Sequence, residues 1–560
     1  MSVTIGNASG FYGDRFAAVH EMLTGGPLDV LTGDYLAELT MMILGRDRMK
    51  DPRSGYAKTF LRQMEDCLGL ARERNVKIVT NAGGLNPAGL AEALHDLAGK
   101  LGVPTKIAYV TGDDLMDRAA SLGLGMPLTA NAYLGAWGIA ECLREGADVI
   151  VTGRVTDASL VVGPAAAHFG WARDDFDALA GAVVAGHVLE CGAQATGGNF
   201  SFFTEISLAY PGFPLAIVER DGSCVITKHP GTGGAVTVET VTAQLLYEID
   251  SARYAGPDVT ARFDTIELAQ DGPDRVRISG VKGEPPPPKM KVCLNNLAGF
   301  RNDVTFVLTG LDIEAKAELV RQQMAGEDLE WRLARTDHVD ADGEAEASAL
   351  LHVTAKGSDP QKVGRAFSSA AVELALASYP GFTLTAPPGD ATPYAVYTAA
   401  YIDPIPHTAV LHHGQEITID PTRSRNLPGK VPFDEVPMGQ LPGNFRDLDG
   451  PAVRAPLGRV VGARSGDKGG NANIGVWARS ERGFHWLAST LTVARLKELL
   501  PEAGELTVTR HVLPNLRALN FVVEGILGEG VSSGTRFDPQ GKGLGEWLRS
   551  RYADIPEELL

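Results

Sequence analysis

The chain has 560 residues, 44% hydrophobic and 21% charged, with a formal net charge of -18. That is apolar material for several cores; the acidic balance argues against nucleic acid or an anionic membrane as the main partner, while leaving room for a local basic pocket that takes an anionic small molecule. The five cysteines, Cys67, Cys142, Cys191, Cys224 and Cys293, are scattered without a CxxC, which excludes a disulfide framework or zinc motif.

The amino terminus has no basic region followed by an apolar core, so no signal peptide is expected. No apolar run reaches about 18 residues, and a cytoplasmic protein is expected. Residues 3–5 read as a strand ending in Gly6-Asn7-Ala8-Ser9-Gly10. A second strand, 28–31, is followed by Thr32-Gly33-Asp34 and a helix with Leu36, Leu39 and Ile43 on one face. A third, 76–79, ends in Thr80-Asn81-Ala82-Gly83-Gly84, and Asn86-Pro87 predicts a capped helix start. The fourth is 107–110. The fifth, 149–151, ends in Thr152-Gly153-Arg154-Val155-Thr156-Asp157.

This alternation predicts an α/β fold with a mostly parallel sheet and flanking helices. Ligands of such sheets bind beyond the carboxyl ends of the strands. The polar turns fall there, which makes Asn81, Gly83, Gly84 and Arg154 binding candidates. Arg154 suits a carboxylate or phosphate. Asp157 is either a helix cap or a proton carrier. No turn matches GxGxxG, so a dinucleotide fingerprint is absent.

His187 and Glu190 sit three apart near the end of a helix that Gly192 stops. They form either an acid–base pair or a surface hydrogen bond, and are too few for a metal. Two glycine-rich turns follow. Gly197-Gly198-Asn199 is one; Lys228-His229-Pro230-Gly231-Thr232-Gly233-Gly234 is the other. Backbone donors in such turns suit a thioester oxygen or a phosphate, and His229 adds an imidazole. His412 and His413 lie on a predicted strand, where neighbouring side chains point to opposite faces, so no metal centre is expected.

Between the apolar stretches 457–461 and 474–478 lies GARSGDKGGNANIG, residues 462–475. It reads either as a long loop whose glycines free backbone N–H groups for an anion, with Arg464 and Lys468 adding charge, or as a glycine-rich hairpin turn whose charges are merely solvated. Arg464, Asp467, Lys468, Gly469 and Asn471 are candidates there. Strands are also predicted at 484–489, 506–512 and 518–524, with helices at 493–500 and 544–552, as a small α+β sandwich.

GNASGFYGDR, TNAGGLNP, VTGRVTDAS, ECGAQATGGN, YPGFP and KHPGTGG occur in this order, and together they resemble the acyclic terpene utilisation (AtuA) family. GARSGDKGGNANIG resembles the small carboxy-terminal domain often fused to it. The resemblance implies a ferredoxin-like fold for that domain. It also implies catabolism of branched, isoprenoid-like acids handled as CoA thioesters, and it carries no catalytic residue set with it.

The expected organisation is an α/β domain at 1–244, a second α/β region at 245–420, a proline- and glycine-rich linker at 421–456 and the small domain at 457–560. The expected function is hydratase or lyase chemistry on a branched acyl-CoA, with Asp157, His187, Glu190 and His229 as the groups able to move a proton. The thioester is the substrate; no further cofactor, nucleic-acid partner or membrane partner is expected, and a homo-oligomer is. The alternative is a non-catalytic acyl-CoA-binding or scaffolding subunit. Hydrolysis through a Ser or Cys nucleophile ranks below both, because no G-x-S-x-G elbow is present.

Overall fold

The strand-to-turn units form the centre of one large sheet. The computed structural model describes residues 2–324, 329–422 and 450–560. Its first strands are β1 (Val3–Asn7), β2 (Val30–Gly33), β3 (Lys77–Thr80), β4 (Ile107–Thr111), β5 (Thr129–Ala132) and β6 (Val149–Thr152). The order β1-β2-β3-β6-β4 is parallel throughout. These strands are almost wholly buried because helices cover both faces. Successive residues face opposite cores. Leu31, Ile78, Val149 and Val151 pack beneath α1 (Ala18–Gly25), α3 (Lys58–Glu73) and α4 (Pro87–Leu101), while α2 (Glu38–Lys50) follows β2. Val30, Val79 and Ile150 pack beneath α5 (Trp137–Arg144), α6 (Ser159–Phe169) and α7 (Phe176–Leu189). The predicted cap of α4 is present: the Asn86 side chain accepts from Gly89 N at 2.9 Å, with Pro87 in the first turn.

The sheet is not mostly parallel. β7 (Pro214–Val218) joins β1 and β8 (Cys224–Lys228) joins β7, both antiparallel, and Val276–Ser279 and Glu267–Gln270 extend that edge. His407–Val410 and Glu416–Ile419 extend the other. The turn between β7 and β8, closed by Glu219 N to Ser223 O at 2.8 Å, is too short for the crossover a parallel pair needs. The result is a mixed sheet with a five-strand parallel centre. His412 and His413 lie on the turn after Val410, not on a strand.

The contacts divide the chain differently from composition. One compact unit comprises Met1–Asn295, Thr398–Gly528 and Gln540–Leu560; the other comprises Asn296–Tyr397 and Glu529–Pro539. The second unit is an antiparallel sheet, with Leu329–Ala334 beside Ser348–Gly357 and Ser348–Gly357 beside the carboxyl half of Met290–Thr309. Phe306, Leu308, Val320, Leu351 and Val353 fill its core. On this sheet lie a wide turn at Lys362–Ala366, a short helix Phe367–Glu373 and a tight final turn at Leu374–Leu376. Of the linker expected at 421–456, residues 423–449 lie outside the described residues.

Within the first unit, the carboxy-terminal sheet has four antiparallel strands in the order Val461–Lys468, Asn471–Ala478, Ala518–Val523, Val508–Leu513. The helices Glu481–Thr490 and Leu544–Ser550 pack on it around Phe484, Leu487, Phe521 and Leu548. Two expectations fail here. The strand predicted at 484–489 is part of a helix, started by Ser480 Oγ accepting from Gly483 N at 3.0 Å. The long loop at 462–475 is two paired strands closed by Gly469-Gly470.

The glycines in that hairpin serve close packing. It lies against the turn 246–250 that follows α8 (Val238–Leu245). A Cβ on Gly466 would sit 2.3 Å from the Tyr247 ring, and one on Gly475 would sit 2.5 Å from Leu246 Cβ. Asn473 and Asn520 complete the docking. Asn473 accepts from Glu248 N at 2.8 Å and donates to Leu246 O at 2.7 Å; Asn520 donates to Ile249 O at 3.0 Å and accepts from Asn473 at 2.8 Å. Gly475→Ala is expected to destabilise the protein by about 1–3 kcal/mol through overpacking. Gly99→Ala, where a Cβ meets nothing within 4 Å on a helix surface, is expected to stabilise it by about 0.5–1 kcal/mol. Denaturant midpoints of the two variants test the pair, and a neutral Gly475→Ala would refute the close-packing account.

Candidate functional site

Beyond the carboxyl ends of the parallel strands, buried polar groups hold one another. Asp34, after β2, accepts from Asn81 Nδ2 at 2.6 Å and Leu36 N at 3.0 Å. Asn81, after β3, accepts from Tyr35 N at 2.8 Å. Arg154, after β6, is 4% exposed, donates to Leu36 O at 2.7 Å and meets Asp157 Oδ1 at 3.0 Å. Its guanidinium lies over the Tyr133 ring, 4.3 Å from the centroid. Burial and the charge of Asp157 raise the Asp34 carboxyl well above its ordinary range, with Arg154 opposing them. Arg154 stays charged: Asp157, Tyr133 and Asp34 overcome its burial.

Asn7, at the end of β1, ties this rim to the end of α7. Its side-chain amide donates to Leu189 O at 2.6 Å and Glu190 O at 3.2 Å. One turn back is His187, fully buried between Tyr254 and Phe263, whose ring centroids lie 5.0 and 5.5 Å away. His187 Nδ1 is 3.0 Å from Glu190 Oε1, out of line for a hydrogen bond. Neither His187 nitrogen nor Glu190 Oε2 makes a hydrogen bond in good geometry among the described residues, although the Leu245 backbone lies close enough to favour a proton on the His187 ring. The pair meets solvent only at its Glu190 end, and Glu190 is 9% exposed. Burial first, then the charge of Lys468, pushes His187 down to about 4, with Glu248 and Asp157 opposing. Burial, Asp157 and Glu248 raise Glu190 well above the carboxylate range. Burial thus disfavours charge on both members of the pair: the imidazole is held neutral at neutral pH, and the carboxyl holds its proton more tightly than an exposed one.

The hairpin presents alternate residues to this place. Arg464, Gly466 and Lys468 share one face of their strand. Arg464 lies over the Tyr247 ring at 4.5 Å, Gly466 packs on the same ring, and Lys468 Nζ is 3.7 Å from Asp250 Oδ2. Ser465, on the other face, accepts from Gly545 N at 2.9 Å. The charge of Lys468 acts on both His187 and Glu190, and that of Arg464 on the neighbouring Cys191.

The model of the acyclic terpene utilisation family protein AtuA matches residues 3–412, and that of the AtuA ferredoxin-like domain matches residues 455–553. The chain belongs to the AtuA acyclic terpene utilisation family. Comparison with curated proteins finds no match. The AtuA region supplies Asp34, Asn81, Arg154, Asp157, His187 and Glu190 to the cluster; the ferredoxin-like domain supplies Arg464 and Lys468. No helix among the described residues is long and apolar enough to cross a membrane.

Other candidates of this AtuA-family chain have structural partners. His229 Nε2 is 3.1 Å from Met22 O, and its ring fills the space beside Gly25 and Gly26. Lys228 pairs with Asp274 at 3.0 Å and donates to Thr232 O at 2.7 Å. The N–H groups expected to face an anion meet carbonyls instead: Gly197 with Gln194 O, Gly198 with Ala193 O, Gly233 with Tyr210 O, Gly234 with Ser207 O and Gly84 with Asn81 O. Gly83 has no room for a Cβ, which would lie 2.5 Å from Thr152 O. Asn199 gives its carbonyl to Arg464 Nη1 at 3.1 Å. Asn471 accepts from Gly525 N at 2.9 Å, and Gly469, at φ 64°, makes the hairpin turn. Asp467 lies on the strand face opposite Arg464 and Lys468. Sequence reasoning missed Asn7, Asp34 and the tyrosines Tyr133, Tyr247 and Tyr254, which lie against Arg154, Arg464 and His187 in turn. Asn7 and Asp34 were visible as polar residues at strand ends, whereas the tyrosines gave no local signal.

His187 is expected to titrate near pH 4, because its folded pKa lies below its ordinary 6.5. The neutral ring's contribution to stability is then complete above pH 6.5 and is lost as pH falls through about 4. Lys468→Ala is expected to move that titration upward. Histidine-selective NMR of both proteins measures it, and an unmoved His187 resonance would contradict electrostatic coupling across the two matched regions.

Proposed function

We propose that this cluster is the active site of an enzyme of branched acyl-CoA catabolism that adds or removes water across the bond next to the thioester carbonyl. The observation that supports this reading is the His187–Glu190 pair: a neutral base 3.0 Å from a carboxyl whose hold on its proton is strengthened, in a buried site. In the dehydrating direction, substrate entering past Glu190 must part the side chains that cover His187, which then takes the proton from the carbon alpha to the thioester. The C–H pair becomes the new double bond, and the hydroxyl on the beta carbon leaves with its bonding electrons and the Glu190 proton, as water. The pair is then imidazolium and carboxylate. Transfer of the proton from His187 to Glu190 over their short separation restores the starting state. Hydration is the reverse.

Negative charge develops on the thioester oxygen during proton removal. Lys468 and Arg154 supply positive potential around the pair. Tyr254 and Phe263 wall His187 off from water, which keeps the base neutral. CoA enters this scheme as part of the substrate.

The direct test is a panel of branched 2,3-unsaturated and 3-hydroxy acyl-CoAs incubated with the purified protein and followed by mass spectrometry for gain or loss of water. His187→Gln and Glu190→Gln are each expected to lower kcat by at least about 100-fold with the fold retained by circular dichroism. A folded wild type that changes the mass of no substrate would sink the hydratase reading.

A further inference from the structure

Arg464 is 6% exposed, yet only part of its guanidinium is satisfied. Nη1 donates to Asn199 O at 3.1 Å, and one face rests on the Tyr247 ring. Nε and Nη2 are buried and make no hydrogen bond in good geometry among the described residues, and no carboxylate there lies within ion-pair distance. Burial weighs against its charge; Tyr247, whose hydroxyl contacts the guanidinium outside good hydrogen-bond geometry, Cys191 and Glu248 support it. Nε and Nη2 form one edge of the guanidinium, with two parallel N–H bonds that match the two oxygens of a carboxylate or of one side of a phosphate. Leaving two buried donors of a cation unmet costs about 1–3 kcal/mol each or more, so a built protein interior keeps such an edge only where something else meets it.

We propose that Arg464 is a dedicated oxyanion-binding residue of this site, taking through its Nε–Nη2 edge either a carboxylate borne on the acyl chain or a phosphate of its carrier. The roles of the two hairpin cations are then distinct. Lys468 faces Asp250 and shapes the field at His187, whereas Arg464 holds the ligand. The idea rests on the proposed acyl-CoA reading only for what the anion is attached to.

The experiment is thermal denaturation of the full chain with isovalerate, inorganic phosphate or free coenzyme A at rising concentration, for wild type, Arg464→Met, Arg464→Lys and His187→Gln. At least one of the three anions is expected to raise the wild-type midpoint in a saturable way. The apparent affinity is expected to be about tenfold or more weaker in Arg464→Lys, which has charge without the fork, and lost in Arg464→Met. Arg464→Met removes a buried, uncompensated charge, so it should fold at least as stably as wild type without ligand. His187→Gln should keep the anion response, which separates this proposal from the chemical step. Isovalerate as the better ligand would place the anion on the acyl chain; phosphate or coenzyme A would place it on the carrier. Equal midpoint shifts in wild type and Arg464→Met, or no shift with any of the three, would overturn the assignment.

Discussion

The site depends on one contact: the glycine face of the carboxy-terminal hairpin against the turn 246–250. Backbone can approach backbone this closely only because Gly466 and Gly475 lack side chains. The approach would strand carbonyls and N–H groups of the turn away from water, and each would cost about 1–3 kcal/mol if left unmet. Asn473 and Asn520, both fully buried, meet them and each other. A shift of one residue along either strand would turn that strand's amide to the wrong face. The contact therefore has one register, and that register aims Arg464 and Lys468 at the end of α7.

What the hairpin brings is charge, and the AtuA region has its own charge to balance. Arg154 is buried with Asp157 beside it, and it also faces Asp34, whose carboxyl burial and the charge of Asp157 push well above its ordinary range. Asp157 acts beyond this group, since its charge also reaches His187, Glu190 and Tyr254. The rim and the α7 end are thus one electrostatic unit, joined mechanically by Asn7. Buried networks of this kind are expensive to leave half satisfied, which focuses interest on atoms that lack a well-aligned partner among the described residues, including both nitrogens of His187, Glu190 Oε2, Arg154 Nε and the outer edge of Arg464.

The parallel centre of the fold was legible because a strand buried on both faces reads as an unbroken apolar run ending in a polar turn. The antiparallel edges were not, since β7 and β8 are equally apolar and only their short turn sets direction. The helix Glu481–Thr490 was misread for a related reason: a few apolar residues in a row fit either element, and the deciding signal was the cap at Ser480. At the site, local spacing showed the His187–Glu190 pair and strand ends showed Asn81 and Arg154. The glycine-rich turns misled because glycine answers two demands, ligand approach and chain approach, with the same residue. In KHPGTGG and GARSGDKGG it answers the second, as their satisfied N–H groups and close neighbours show.

An acid and a base that must act together need protonation states that neutral water would not give them. An exposed histidine near pH 7 is partly charged, and an exposed glutamate is fully so. Burial alone corrects both, because it disfavours either charged form. The surrounding charges then act unequally. Lys468 adds to burial at His187 and works against it at Glu190, while Asp157 and Glu248 do the opposite at each. Removing the cation would make His187 easier to protonate and Glu190 harder to ionise, moving both groups toward their acid forms. Lys468 therefore keeps the base a base at some cost to its partner's hold on its proton. A residue that belongs to the ferredoxin-like domain in sequence belongs, in its physical effect, to the end of α7.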